Sequence, residues 1–359
     1  MSGMRTYTIA PLGLEELIIA ACRCVLAFGF ALAGSASGHA HDLRARSTAL
    51  VDVDDIPLAT PALKLVYSRQ YQTLIVDTGG QVLNIDTSRH TSAAIAPLGT
   101  FTDIAISPSG RYVFAADWLS DNIFLDEAYT LNYLHRFNLG TMLWDAPETV
   151  WEAGSVQAVA DDQVIVKSRH AFQLLVNARF TGATATAPIN TPTTFFEPAF
   201  NSSVYGDSNL LYDSRSGRVL IAESGSSRAI FSERLTGNDF FLQEDTPNDG
   251  GSVSKYGGTA VLATDMSGFY YGALEVDPLD VTHQLRIFPE AIYAATGDIA
   301  FGAGNYYDAR TGQFVGNLGL TAHVYGLDAC DTDFWIYDDA DGALRHFVVD
   351  AIFADGFDS

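Results

Sequence analysis

The sequence predicts an all-β fold: a seven-bladed β-propeller of four-stranded antiparallel blades, its ring closed by an N-terminal strand. Three observations predict it. A unit of turn, strand, short loop and strand recurs seven times, averaging about 44 residues, within the 40–45 of one propeller blade. The runs inside each unit are rich in β-branched, aromatic and aliphatic residues, and the loops between them carry Gly, Ser, Asp and Asn, which is hairpin chemistry. No helical period lies between the units.

The unit is clearest in Ser68 to Asp86 (SRQYQTLIVDTGGQVLNID) and Ser107 to Asp126 (SPSGRYVFAADWLSDNIFLD). It recurs in Val156 to Asn177, Leu210 to Arg234, Val261 to Phe288, Ile292 to Phe314 and Val324 to Asp350. The central strands are marked by Leu74, Val113, Val164, Val219, Tyr270, Ile299 and Trp335. A four-stranded blade cannot bury both faces alone, and radial stacking on two neighbours covers them. The seventh unit has chain for about three strands only, so Leu50 to Val53 is expected to supply its fourth and latch the ends together. A β-sandwich or two smaller β-domains is the alternative. The propeller is assigned to residues 60–350, an N-terminal segment with the closing strand to 41–59, and a short tail to 351–359.

Composition agrees with a folded domain. The 359 residues are 48% hydrophobic, which rules out disorder as the dominant state. With 43 acidic residues against 20 basic ones the net charge is −23. Nucleic acid and anionic membranes are therefore not expected partners, because both require clustered Lys and Arg. Residues 1–40 read as a leader: Arg23 precedes the apolar run Val25 to Ala33, and small residues Gly34 to Gly38 follow. The run is too short to span a bilayer, so export to the periplasm or the extracellular space, with no transmembrane span after processing, is expected. Glu15 and Glu16 are acidic where a leader is usually basic, which a start downstream of Met4 would explain. Cleavage near Gly38 removes Cys22 and Cys24 and leaves Cys330 alone, so no internal disulfide is expected. A monomer is expected.

With Thr102 to Asp117 in view (TDIAISPSGRYVFAAD), the chain resembles the YVTN-type β-propellers. Ser107-Pro108-Ser109-Gly110-Arg111 carries the resemblance, with Ser in place of the usual Asp; Arg215 to Arg218 and Asp265 to Gly268 keep the turn, and the first unit lacks its glycine. The resemblance implies a seven-bladed ring, often exported in bacteria. The uses it implies span protein interaction, lactone hydrolysis and cofactor-bearing dehydrogenase subunits. The turn residues that carry it are structural and name no ligand.

Ligands of propellers gather at the mouth of the central channel, where connections between second and third strands meet those between blades. The strand reading assigns to this mouth Trp118 to Asp121, Arg169 with His170, Gly225 to Ser227, Glu275 to His283, and Asp339 to Gly342. Trp118 can stack on a sugar or aromatic ligand that Asp121 orients; an ordinary loop Trp beside a solvated Asp is the competing reading. Arg169, His170 and Glu223 form the catalytic candidate set for a lactonase-like hydrolase or lyase, since imidazole titrates near neutral pH. Glu275, Asp277, Asp280 and His283 can offer oxygen ligands to a divalent ion such as Ca²⁺. Their spacing matches no calcium loop, and a solvated acidic loop competes with it. No haem-attachment, H-E-x-x-H, G-x-S-x-G, Walker or dinucleotide motif is present, and no cofactor is expected. The sequence therefore points first to a non-enzymatic scaffold that binds a protein or small ligand at the channel mouth. A lactonase-like hydrolase or lyase comes second and a redox-partner propeller third.

Overall fold

The chain is described from a computed structural model, which covers residues 50–95, 100–118, 131–145, 148–151, 153–168, 174–180, 194–195, 208–223, 230–236, 239–245, 259–327 and 333–349. These residues belong to the compact unit Ser47–Ser359. The fold is an all-β propeller with four-stranded antiparallel blades, of which five are recognised as blades, and the described strands group into seven sheets. Strand β1 (Leu50–Pro57) belongs to the last of them. Sheet 1 runs β2 (Lys64–Ser68), β3 (Thr73–Asp77), β4 (Val82–Asp86), β5 (Thr91–Ala94). Sheet 2 runs β6 (Thr100–Ile106), β7 (Tyr112–Trp118), β8 (Leu131–Asn138), then β10 (Glu148–Trp151), with β9 (Leu143–Trp144) also on β8. Sheet 3 comprises β11 (Ala153–Ala160), β12 (Gln163–Ser168), β13 (Leu174–Arg179) and β14 (Thr194–Phe195). Sheet 4 comprises β15 (Ser208–Asp213), β16 (Arg218–Glu223), β17 (Ile230–Thr236) and β18 (Asp239–Asp245). Sheet 5 comprises β19 (Ala260–Leu262), β20 (Phe269–Tyr271), β21 (Leu274–Asp277) and β22 (Asp280–Ile287). Sheet 6 comprises β23 (Ala294–Ala295), β24 (Ile299–Phe301), β25 (Asn305–Asp308) and β26 (Phe314–Asn317). Sheet 7 comprises β27 (Val324–Leu327), β28 (Asp333–Asp338), β29 (Ala343–Val349) and, outermost, β1.

The second strands read as unbroken apolar runs because each is covered on both faces. Side chains alternate across a strand, and in β3 Leu74 and Val76 join the core shared with sheet 7, whereas Ile75 joins that shared with sheet 2. In β28 Phe334 and Ile336 pack toward sheet 6, while Trp335 and Tyr337 pack toward sheet 1. The same division holds in β20, where Phe269 and Tyr271 meet sheet 4 residues and Tyr270 meets sheet 6. All seven marker residues of the sequence repeat lie in these second strands.

The first strands contact one another in turn, β2 with β6, β6 with β11, β11 with β15, β15 with β19, β19 with β23, β23 with β27, and β27 with β2. Strand β1 pairs with β29 antiparallel, from Leu50 opposite Val349 to Pro57 opposite Ala343. The chain before the repeat thus completes a sheet made from its last strands, over a longer span than Leu50–Val53. Ile56 alone of β1 is buried, and Asp54 reaches across to His90 of sheet 1 at 2.6 Å.

One assignment changes. Glu275 to His283 does not join second and third strands; it forms the β21–β22 hairpin between the third and fourth, which turns at Pro278-Leu279. The second-to-third connection of sheet 5 is the two-residue turn Gly272-Ala273, with Gly272 at φ 59°. That glycine is embedded in an aromatic and aliphatic run (FYYGAL), so the pattern hides the turn. Among the described residues no helix is long and apolar enough to cross a membrane.

Candidate functional site

Three links between sheets share one backbone pattern: residues 58–64 lead from sheet 7 to sheet 1, 288–294 from sheet 5 to sheet 6, and 318–324 from sheet 6 to sheet 7. In each, the first residue donates its N–H to the carbonyl that precedes the third strand of the sheet just left: Leu58 to Gly342, Phe288 to Ala273, Leu318 to Gly304. Each also buries a small or aliphatic residue, Ala62, Ile292 or Ala322, ahead of the next first strand. These bonds tie the links to the second-to-third connections, so both lie on one face of the molecule. The residue after the buried one sits at the top of an innermost strand on that face. It is Leu63 in sheet 1, Tyr293 in sheet 6 and His323 in sheet 7.

These positions are where polar chemistry collects. His323 Nδ1 lies 2.5 Å from Asp339 Oδ2, Asp339 coming from the β28–β29 connection. A carboxylate only accepts, so the imidazole donates from Nδ1, and Nε2 is the ring nitrogen that this pair leaves over. The ring of Tyr293 packs edge-on against it, with centroids 4.8 Å apart and planes at 87°. Burial, then the charges of Glu290 and Asp339, hold the Tyr293 hydroxyl above the usual tyrosine range. Glu290 is itself fixed: Ala303 N donates to Oε2, and Asn305 Nδ2 and the Tyr307 hydroxyl donate to Oε1. Tyr325 donates to the Gly302 carbonyl beneath the same link.

A second polar group stands on the first strands of sheets 1 and 2. Lys64 Nζ is 2.5 Å from Asp103 Oδ1, and the other oxygen of Asp103 accepts from Val156 N on the first strand of sheet 3. One carboxylate therefore joins three sheets. Asp77, at the end of β3, is pushed above the usual carboxylate range by burial and by Asp103, against the lowering effects of the Gly79 N–H and Lys64.

The sequence candidates are distributed differently. Asp121, Arg169 and His170 lie outside the described residues. Trp118 and Glu223 end β7 and β16, opposite Thr100 and Ser208, and their side chains also lie outside the described set. Glu275, Asp277, Asp280 and His283 do not converge. Asp277 and Asp280 accept from the N–H groups of Leu279 and Thr282 in their own hairpin, and His283 is exposed on β22. Glu275 is buried against Arg286, whose Nε is 2.7 Å from Oε2, yet off the line of a hydrogen bond, so that oxygen has no hydrogen-bond partner. Desolvation, opposed only by Arg286, pushes the Glu275 carboxyl up to about 7. Among the described residues no three His, Cys, Asp or Glu side chains stand together as a metal site. Sequence reading reached Asp339 through its loop and missed Lys64, Asp77, Asp103, Tyr293 and His323. Aligning the repeat on its links rather than on its strands brings Leu63, Tyr293 and His323 into one column and marks them as rim positions.

No family model matches the chain, and no curated protein matches it.

Proposed function

We propose that the chain is an exported, seven-bladed propeller of YVTN type that acts as a binding scaffold, taking a small ligand or a protein segment at the channel mouth without catalysis. Seven blades are supported by the seven sheets and by the closed cycle of first-strand contacts. The YVTN reading is supported by the Ser107 to Arg111 turn, and export by the leader pattern of residues 1–40. The observation that carries the binding reading is the rim pair His323–Asp339 beside Tyr293, half-exposed polar groups fixed in orientation before any ligand arrives. A ligand of the native state raises the unfolding midpoint by mass action. A thermal-shift screen of the full chain, run in parallel on His323→Ala, tests the reading: a compound that raises the midpoint of the parent and not of the variant supports it. Ligands whose shifts are the same in both overturn it.

The same imidazole, oriented by a carboxylate, favours a second reading as a hydrolase or lyase in which His323 takes a proton from water or substrate. Turnover of a lactone panel abolished by His323→Ala selects that reading; binding without turnover selects the scaffold.

A further inference from the structure

Methionine stands at positions 1, 4, 142 and 266 of the chain, and the two within the propeller share a setting. Both lie in turns with a left-handed backbone, Met142 at φ 56° and Met266 at φ 61°, where a Cβ is disfavoured. Each sulfur accepts a hydrogen bond from a polar side chain of the preceding sheet. Met142 Sδ takes Asn84 Nδ2 of sheet 1 at 3.6 Å, and Met266 Sδ takes Ser214 Oγ of the β15–β16 turn of sheet 4 at 3.2 Å. Neither backbone preference nor core filling accounts for methionine at position 142, which is 47% exposed.

The donor that faces Met142 is fixed in direction. Asn84 pairs with Ala93 across β4 and β5, and its Oδ1 accepts from the Thr73 hydroxyl, which leaves Nδ2 for the methionine. A thioether sulfur is a weak acceptor. Adding one oxygen to Sδ supplies a polar one, and 3.6 Å between sulfur and nitrogen accommodates an oxygen set off the S···N line at the usual hydrogen-bond distance of about 2.9 Å. The segment that carries Met142 already bridges two sheets: β9 pairs with β8, and Trp144 Nε1 donates at 2.7 Å to the carbonyl of Ile95, just after β5. A stronger contact at Met142 therefore acts on a strap between sheets 1 and 2.

We infer that Met142 is an oxidation site for hydroperoxides, and that Asn84 latches its sulfoxide so that oxidation tightens the boundary between sheets 1 and 2. A lone pair of Sδ attacks an oxygen of hydrogen peroxide, and the O–O bond breaks as the S–O bond forms. The proton of the transferred oxygen passes to the displaced hydroxide, which leaves as water. Sulfur is oxidised by two electrons and the peroxide is reduced by two. The sign is opposite to that of a core methionine, whose sulfoxide disrupts packing.

The test treats the full-length chain with hydrogen peroxide, with free methionine in the same tube as a reference, and reads peptide masses and the midpoint of thermal unfolding. Met142 gains the mass of one oxygen atom. Treatment raises the midpoint of the parent by about 1–2 °C more than that of Met142→Leu, the gain of one hydrogen bond. Asn84→Asp keeps an oxygen for Thr73 and has no N–H to donate, so it takes up oxygen at Met142 without that gain. Each comparison is between treated and untreated samples of one variant, so a change in stability from the substitution itself cancels. Oxidation at Met266 or Cys330 is common to the parent and Met142→Leu. An unmodified Met142 where free methionine is converted, a midpoint change no greater in the parent than in Met142→Leu, or an equal gain in Asn84→Asp overturns the inference.

Discussion

Gln72 adopts φ 49°, in the left-handed region, where sheet 2 has Gly110 at φ 74° in the corresponding turn. A side chain there is strained by about 1 kcal/mol, which explains why the first repeat lacks the glycine yet keeps the hairpin. Gln72→Gly is expected to raise stability by about 0.5–1 kcal/mol and Gln72→Val to lower it by at least as much, read from urea midpoints. Gly268 holds its position for a different reason. A Cβ there would lie 2.7 Å from Glu275 Oε1, so this glycine makes room for the buried carboxyl. That carboxyl gives the molecule a pH dependence. Its value of about 7 stands above the ordinary 4.5, so between those pH values the folded chain keeps a proton that the unfolded chain has released. Stability therefore falls as pH rises through this window, by about 3 kcal/mol in all. Glu275→Gln removes the titration, and the difference in unfolding free energy between pH 4 and pH 8 should shrink by about that amount. An unchanged difference would mean that Arg286 neutralises the carboxylate more fully than the off-line contact allows.

Strand β6 carries a carboxylate that joins three sheets. Asp103 takes Lys64 from sheet 1 and Val156 N from sheet 3, so Asp103→Ala leaves a backbone donor and an ammonium without their acceptor, for a loss of about 1–3 kcal/mol in urea unfolding. Asp103→Asn keeps an acceptor and should lose about half as much; an equal loss would show that charge, rather than the hydrogen bond to Val156, matters. Strands of this kind were legible in the sequence because burial on both faces imposes a dense apolar run, as in Thr73–Asp77 and Asp333–Asp338. Turns were legible where Gly or Asp marks them, as at Asp308 to Gly312, whose Asp308 accepts from Arg310 and Thr311. The turn ending at Gln72 was legible from its place in the repeat although it lacks a glycine, whereas a turn was not legible where glycine sits within an apolar run, as at Gly272. The rim residues escaped because nothing local distinguishes them. Tyr293 and His323 belong to short links, and only the fold places one beside the other and Asp339 beside both.

At the scale of the whole molecule, the order of the chain departs from the order of the sheets once, at the closure. Residues before the first sheet pair with the last strand of the last sheet, so the two ends of the repeat are held by one strand instead of by a peptide link. The register sets Asp54 and Asp55 opposite His346 and Arg345, and Asp54 meets His90 of the neighbouring sheet. Ile56 enters the core that sheets 7 and 1 share, and burying a side chain of that size contributes about 2–3 kcal/mol. A chain beginning at Leu58 loses these contributions together and exposes the edge of β29, a template for pairing with another chain. It should unfold at a lower urea midpoint than the parent and associate at high concentration. Because the strand binds the folded ring and not the unfolded chain, a synthetic peptide of sequence LVDVDDIP should raise that midpoint in a dose-dependent way, whereas one with Asp in place of Ile56 should not. If the shortened chain unfolds at the parent midpoint, the ring is held by the first-strand contacts alone. If it is destabilised yet indifferent to the peptide, the strand acts through its covalent attachment and not through the fit of its side chains.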